Sequence, residues 1–315
     1  MSTDHSAPEV SVVMSVYNGA DALPRTLHSV LSQEGADFEF IVIDDGSTDA
    51  SGRILDEWAA SHPRLRVIHQ QNTGLTRALI RGCAEARGEF IARQDCGDVS
   101  LPGRLAAQVA VLRATPKAVM VACGAQFLGP RDEVLYTAIT SGPELERGLA
   151  NLNLQRLQGP PHHGATLFRR EAYQKAGGYR APFVVAQDID LWLRLVEVGR
   201  CVGQETVGYA ARVEVGGISH RRRDEQFHWG QVAIDCALAR RAGHDDAALL
   251  EAAVQQAPQR GSVTRPDPAR ERARFHYFVG SCLRSSDRQA ARRYFRSAIQ
   301  DSPRHLRAWF RYLLG

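Results

Sequence analysis

Apolar and polar positions alternate in blocks along the first third of the chain, and the block lengths predict strands and helices in turn. Val10 to Val16 is an apolar run of strand length; helix-period residues follow from Ala20 to Gln33, then a second run, Phe38 to Asp44. The pattern recurs: Asp49 to Ser61 reads as helix, Leu65 to His69 as strand, Leu75 to Ala86 as helix and Glu89 to Arg93 as strand. Such continuous apolar runs mark strands covered on both faces. Strands alternating with helices imply right-handed β-α-β units on a mostly parallel sheet. Pro102 is placed to open a helix reaching about Ala114. Val119 to Thr140 is strand-like with Gly and Pro breaks, 143–157 is helical, and 160–215 mixes short strands and helices.

Beyond Arg221 the chain turns helical and rich in Arg and Ala, broken by a linker from Ala257 to Pro268. The composition shift divides the chain into a main domain, 1–220, and a helical extension, 221–315. Within the extension, residues 273–303 carry Gly280, Ala291, Phe295 and Ala298 at helical spacing before Pro303, and resemble one tetratricopeptide-like hairpin. A single repeat cannot bury its own apolar face, so it is expected to pack on the main domain or on a partner.

Chemistry concentrates where two of the predicted strands end. IVIDDGSTD (41–49) and GEFIARQDCGD (88–98) each run from buried apolar residues into carboxylates, so Asp44, Asp45, Asp95 and Asp98 should emerge at the edge where open α/β sheets bind ligands. Carboxylates there suit ribose hydroxyls, a base N–H or a divalent cation carrying a diphosphate; a bare phosphate would be repelled. The bland alternative is turn and capping chemistry: Gly46 is free for positive φ, and Thr48 or Asp49 can cap the next helix. One such run would leave the two readings level. A second run on a following strand favours the nucleotide.

Composition narrows the picture. The 315 residues, 44% hydrophobic and 23% charged, suit a globular chain with a sizeable core. MSTDHSAPEV lacks a basic-then-apolar leader, and apolar stretches such as Ala118 to Cys123 are too short to span a bilayer, so a soluble cytoplasmic chain is expected. The six cysteines form no C-x-x-C pair, which argues against a zinc knuckle or disulfide framework; Cys96 reads as a small spacer rather than a nucleophile. Net charge is +4 and almost all the cations are Arg, with Lys only at 117 and 175. Aromatics do not interleave with these Arg residues as a nucleic-acid surface would want. The Arg221 to Arg223 run and the Arg-rich C-terminal helices suit an anionic lipid surface, or simply solvated helix faces.

SVVMSVYN (11–18), IVIDDGSTD, QNTGLTRALIRGCAEARGEFIARQD (71–95), HHGATLFRREAYQKAGGY (162–179) and AQDIDLWLRL (186–195) stand in the order and spacing of family-2 glycosyltransferases. The resemblance covers about residues 10–220 and is nearest to bacterial enzymes that build exopolysaccharide, O-antigen or capsule. It implies a GT-A fold, a mostly parallel twisted sheet flanked by helices, and inverting transfer of a sugar from a nucleoside diphosphate, most simply a UDP-sugar. By position it implies donor contacts from Ser15, Val16, Tyr17, Asp44, Asp45 and Asp95, with Asp188 as the base that takes the acceptor proton; Gly74 and Arg77 are added as donor-side candidates, Arg77 facing the diphosphate from its helix or else lying on a solvated helix face. His163 and Trp192 are candidates for the acceptor side, each weighed against a structural or core role; His162 shares the first of these positions with His163. Asp190, two residues beyond the base, is assigned a structural or acceptor-orienting role.

The chain also departs from the family pattern. Gly97 stands where the second Asp of D-x-D usually binds metal, so Asp98 is expected to take that ligand, with Asp95 and with Glu214 where relatives carry a His; His220 is a nearby reserve. The cofactor expected is Mn²⁺ or Mg²⁺; the alternatives that Gly97 raises are weak metal binding or replacement of the metal by Arg cations. The acceptor expected is a glycan or a lipid-diphosphate-linked saccharide, with peripheral contact at the inner membrane and homo-oligomerisation left open. A catalytically inactive sugar-nucleotide or glycan-binding subunit is the alternative that Gly97 raises. A sugar nucleotidyltransferase is a weaker one, because SVYNGADALP is a poor match to a Gly-rich triphosphate loop.

Overall fold

The computed structural model describes residues 7–215, 222–257 and 267–314. In chain order the elements are β1 (Val10–Val16), α1 (Leu23–Leu31), β2 (Phe38–Asp44), α2 (Ser51–Ser61), β3 (Leu65–His69), α3 (Leu75–Ala84), β4 (Phe90–Arg93), β5 (Val99–Ser100), α4 (Arg104–Ala114), β6 (Ala118–Leu128) and β7 (Val134–Ala138). Then come α5 (Gly142–Ala150), β8 (Thr166–Arg169), α6 (Arg170–Lys175), α7 (Gln187–Val198), β9 (Arg200–Arg212), α8 (Arg223–Arg241), α9 (Ala247–Gln256), α10 (Pro268–Leu283), α11 (Arg288–Asp301) and α12 (Leu306–Leu314).

The strands lie in the order β3-β2-β1-β4-β8-β6-β9-β5, with β7 beside β6. Period-two alternation sends β1 and β2 side chains to opposite faces. Val12, Met14, Phe40 and Val42 join Leu27, Leu55 and Leu105 from α1, α2 and α4 in one core. Val13, Ile41 and Ile43 join Leu79, Leu145 and Leu191 from α3, α5 and α7 in the other. The first four strands pair in parallel, as the β-α-β pattern predicts. Past β4 the sheet becomes antiparallel, β4 to β8, β8 to β6 and β5 to β9. The helical crossovers that parallel pairing requires do not separate those strands in the same regular way.

The chain divides into two compact units: 1–125, 138–211 and 224–256, and separately 126–137, 212–223 and 257–315. This line differs from a boundary at 220, because α8 and α9 go with the first unit. Trp229 of α8 packs on Phe183 with ring centroids 5.2 Å apart, and Arg240 pairs with Glu197 at 2.8 Å. In the second unit Leu135 joins Val279, Leu283, Ala291 and Phe295 in a separate core. Gly280 lets α10 approach α11: a Cβ there would stand 2.9 Å from the Phe295 ring.

Candidate active site

Parallel register brings the two acidic runs to one edge. Val16 lies opposite Asp44 and Val13 opposite Arg93, so the chain leaves β1, β2 and β4 side by side. Asn18, at φ 52°, joins the first two exits. Its Oδ1 accepts from the Thr48 amide at 2.7 Å, and its own amide donates to Ser47 Oγ at 3.0 Å.

Asp44 and Asp45 are turned inward, 5% and 2% exposed. Asp44 accepts from the Ser47 amide (3.0 Å) and faces His69 Nδ1 at 2.8 Å. Asp45 accepts from Gln70 Nε2 (2.6 Å), the Thr73 amide (2.9 Å) and the Gly74 amide (2.8 Å). These carboxylates fold the loop that leads into α3, where the resemblance implied that they reach base or ribose. Gly74, at φ 89°, heads that helix with open space where a Cβ would stand. Ser15 is half-buried and Tyr17 is exposed at the same edge, whereas the Val16 side chain belongs to the core and only its backbone faces the exit. Arg77 lies exposed on α3, on a solvated helix face.

The second run is built differently. Arg93, 1% exposed, pairs with Asp95, and its Nη1 donates to the Val13 carbonyl at 3.3 Å, while its Nε has no hydrogen-bond partner. Burial alone would raise the Asp95 carboxyl; the Arg93 guanidinium reverses the sign and holds it below the usual range. Gly97 sits at φ 98°, which lets the chain turn so that Asp98, rather than the residue in the second D-x-D position, faces the site. Thr26 pins that turn, accepting from the Gly97 amide at 3.0 Å and donating to the Asp98 carbonyl at 2.9 Å.

Tyr209 on β9 links the pair. Its hydroxyl donates to Asp98 Oδ2 at 2.9 Å and accepts from the Asp95 amide at 3.1 Å. Its ring lies over the buried Arg104 guanidinium, 5.0 Å away, and stacks on His162 at 5.2 Å. Burial and then the charges of Asp98 and Asp95 push the phenol well above its ordinary value, so it stays a donor.

One ligand atom each from Asp95, Asp98 and His162 lie within 4.8 Å of one another. His162 Nδ1 is 4.0 Å from Asp95 and Nε2 3.8 Å from Asp98, and Nδ1 accepts from the Gly164 amide at 3.0 Å. Burial lowers its pKa, against the pull of Asp95, which keeps the imidazole neutral; with Nδ1 accepting from the Gly164 amide, Nε2 carries the proton, and His162 would ligate an ion through Nε2 only after that proton moves to Nδ1 in place of the Gly164 bond. Two carboxylates and one neutral imidazole fit Mn²⁺ well and Mg²⁺ acceptably. Glu214 is exposed and belongs to the second unit; His220 and Arg221 lie outside the described residues.

Asp188 is half-buried in the first turn of α7, a helix entered through Ala186 at φ 56°. Its Oδ1 accepts from the Ile189 amide at 2.9 Å. Burial raises its pKa and the Asp95 charge adds to this, against the Ile189 amide and Arg93. Asp190 is 1% exposed and clasped by Arg180 and by Arg194 at 2.5 Å, the structural one of its two assigned roles.

Two acceptor-side expectations need correction. His163 is 8% exposed and its Nε2 meets the Tyr179 hydroxyl at 2.6 Å; burial and the Arg93 charge push its pKa down to about 3. His162, its neighbour, faces the carboxylates. Trp192, 6% exposed, packs in the core against Gly159 and His163, so it cannot offer a wall to a sugar. Sequence reasoning passed over Arg93, Arg104 and Tyr209; the one signal was a charged residue inside the apolar strand FIAR.

Residues 11–177 match the family model described as Glycosyl transferase family 2. That span ends short of Asp188 and Tyr209. The chain is 33% identical over 202 residues to EpsE of Bacillus subtilis (strain 168), named as a glycosyltransferase, covering 62% of this chain and 69% of that protein. It is 35% identical over 171 residues to alr2836 of Nostoc, an uncharacterized glycosyltransferase, covering 53% of this chain and 52% of the other, about half its length. The fold matches S. aureus TarS 1-349 in complex with UDP at a TM-score of 0.57, with 16% identity over 93% of this chain and 88% of that one. It also matches the mannosyltransferase PcManGT of Pyrobaculum calidifontis, in complex with GDP-Man and Mn²⁺, at 0.56, with 20% identity over 94% of this chain and 76% of that one. At these identities the structural likeness shows a GT-A α/β fold.

Proposed function

The chain belongs to glycosyl transferase family 2, and we propose that it moves a hexosyl or N-acetylhexosaminyl group from a nucleoside diphosphate, a UDP-sugar first, to a glycan or lipid-diphosphate-linked acceptor, with inversion. The setting is cell-surface polysaccharide assembly on the cytoplasmic side of the inner membrane. One observation carries the reading: at the edge where β1, β2 and β4 end side by side, Asp95 and Asp98 each bring a ligand atom within 4.8 Å of one on His162. Asp188, half-buried in the first turn of α7, is the candidate base. Fold neighbours in complex with UDP, UDP-GlcNAc and GDP-Man support the donor class.

Inversion is one in-line displacement. The acceptor oxygen bonds to the anomeric carbon as the bond to the diphosphate oxygen breaks, and the acceptor proton passes to Asp188. Asp95 and Asp98, with His162, would hold Mn²⁺ or Mg²⁺, which when bound supplies positive charge to the leaving diphosphate. Tyr209 keeps Asp98 aimed, and Arg93 keeps Asp95 ionised. Ser15, Tyr17, Gly74 and Arg77 border the donor side, and Asp44 and Asp45 act on the donor through the loop they hold.

Asp188→Asn tests the proposal. Turnover should fall by about two orders of magnitude or more, with UDP-sugar affinity by calorimetry unchanged. In the parent protein kcat/KM should rise with pH through a value above the ordinary carboxylate range, a limb the variant lacks. Equal loss of affinity and turnover would make Asp188 a binding residue. Donor binding without any transfer or donor hydrolysis, with or without manganese, would favour the inactive binding subunit that Gly97 raises. A product of retained anomeric configuration would overturn the displacement.

A further inference from the structure

Helix α12 of the second unit has two apolar faces, and only one is used. Ala308 is fully buried and Tyr312 packs on the core of α10 and α11. On the opposite side Leu306, Trp309, Phe310 and Leu313 follow the i, i+3, i+4, i+7 rule and are 80%, 41%, 59% and 67% exposed. Arg304 and Arg307 are exposed beside this stripe and Arg311 is half-buried. From 284 to 314 the chain carries eight Arg and two Asp, with no Lys or Glu. Of the two acids, Asp287 caps α11 and Asp301 is bonded to Arg272 and His276.

We propose that α12 is an interfacial helix that lays Leu306, Trp309, Phe310 and Leu313 into the surface of an anionic lipid bilayer, with the surrounding arginines on the head groups. Nine residues are far short of a span, and among the described residues no helix is long and apolar enough to cross a membrane, so the helix lies on the surface. Charge decides the occupant. A second copy seated on the same face by two-fold symmetry would bring two equally arginine-rich surfaces together. An anionic bilayer accepts both features, the apolar stripe at the acyl boundary and the guanidinium forks at phosphate. The proposal stands apart from the transferase chemistry, since it concerns another unit and is tested by binding alone.

The experiment is co-sedimentation of the full chain with phosphatidylglycerol-containing vesicles and with pure phosphatidylcholine vesicles, at low and high salt. The unaltered protein should bind the anionic vesicles and release in salt. Phe310→Ser with Leu313→Ser should weaken binding by at least about tenfold. Replacing Arg304, Arg307 and Arg311 by Gln should weaken it by about fivefold per charge at low salt. Both sets lie on exposed or half-buried positions, and an unchanged thermal melt checks the fold. Trp309 emission should be quenched by brominated lipid and the loss abolished in Trp309→Phe, an independent readout that needs no destabilising change. Equal binding to both vesicle types, binding indifferent to the variants, or no binding at low salt would overturn the proposal. So would concentration-dependent self-association that the Ser variants abolish in the absence of vesicle binding.

Discussion

The exits of β2 and β4 start from the same signal, an apolar strand running into two aspartates, and end in opposite states. Asp44 and Asp45 are bonded to Ser47, His69, Gln70, Thr73 and Gly74, so their oxygens face inward and organise protein. Asp95 is paired with Arg93 and Asp98 accepts from Tyr209, and one ligand atom of each lies within 4.8 Å of one on His162. What separates the pairs is the source of donors. Around β2 the amides of the following loop converge on the carboxylates, whereas around β4 the donors are the side chains of Arg93 and Tyr209 and the neighbouring group is the His162 imidazole. Burial does not separate the pairs, since Asp98 is 6% exposed and Asp44 5%; the clustering of Asp95 and Asp98 with a histidine does.

The largest effect should come from breaking the pair clustered with His162. Asp98→Asn or Asp95→Asn should lower turnover by about two to three orders of magnitude, and titration followed by manganese electron paramagnetic resonance should show ion affinity lost with it. His162→Ala should weaken manganese binding about tenfold to a hundredfold while leaving the melting temperature nearly unchanged. Manganese affinity untouched by all three changes would show that the cluster holds no ion.

The Asp44 and Asp45 pair should answer in stability. Asp45→Asn turns an amide toward a ring of donors and should cost about 2–3 kcal/mol in urea unfolding, since charge-assisted bonds are lost and a buried N–H is left facing N–H groups. Manganese affinity should hardly move. An Asp45 variant that melted normally but failed to bind ion would erase the contrast between the two runs.

How much of this was legible follows from distance along the chain. The parallel half of the sheet and the edge carrying both acidic runs were readable because apolar periodicity is local. The fate of each carboxylate was not. Asp45 is bonded to Thr73, 28 residues on, and Asp98 to Tyr209, 111 residues on. Nothing near 209 marks a tyrosine as the support of an acidic turn. His162 and His163 are indistinguishable by type, and only the turn at His163–Ala165 decides that the first faces the aspartates and the second faces Tyr179. That Asp98 would stand beside Asp95 across the turn at Gly97 was readable, because glycine in that place frees the turn.

Gly97→Ala sharpens the contrast with a smaller change. A Cβ there meets Ala22 at an ordinary 3.8 Å, so space is available and the penalty comes from φ 98° alone, about 1–2 kcal/mol. The turn that aims Asp98 is then the element under strain, and manganese affinity should fall alongside stability. A fall in stability with full ion affinity would mean that the turn can relax without moving Asp98.

The smallest expected effect is a dependence on pH at the Asp44 and Asp45 pair. His69 stands between Asp56 at 3.0 Å and Asp44 at 2.8 Å, and these two, Asp56 foremost, raise its pKa above the ordinary histidine value. A group whose folded pKa is raised lends its stability in full below the unfolded value of about 6.5 and loses it as pH climbs through the folded value. The ring is about half exposed, so solvent screens the gain and the change in urea midpoint should be slight. The parent protein should therefore be more stable, relative to His69→Gln, at pH 5.5 than at pH 8. A difference that stayed constant across that range would mean that the bridge is held by neutral hydrogen bonds, and that the loop after β2 owes its place to Asp45 and its amides alone.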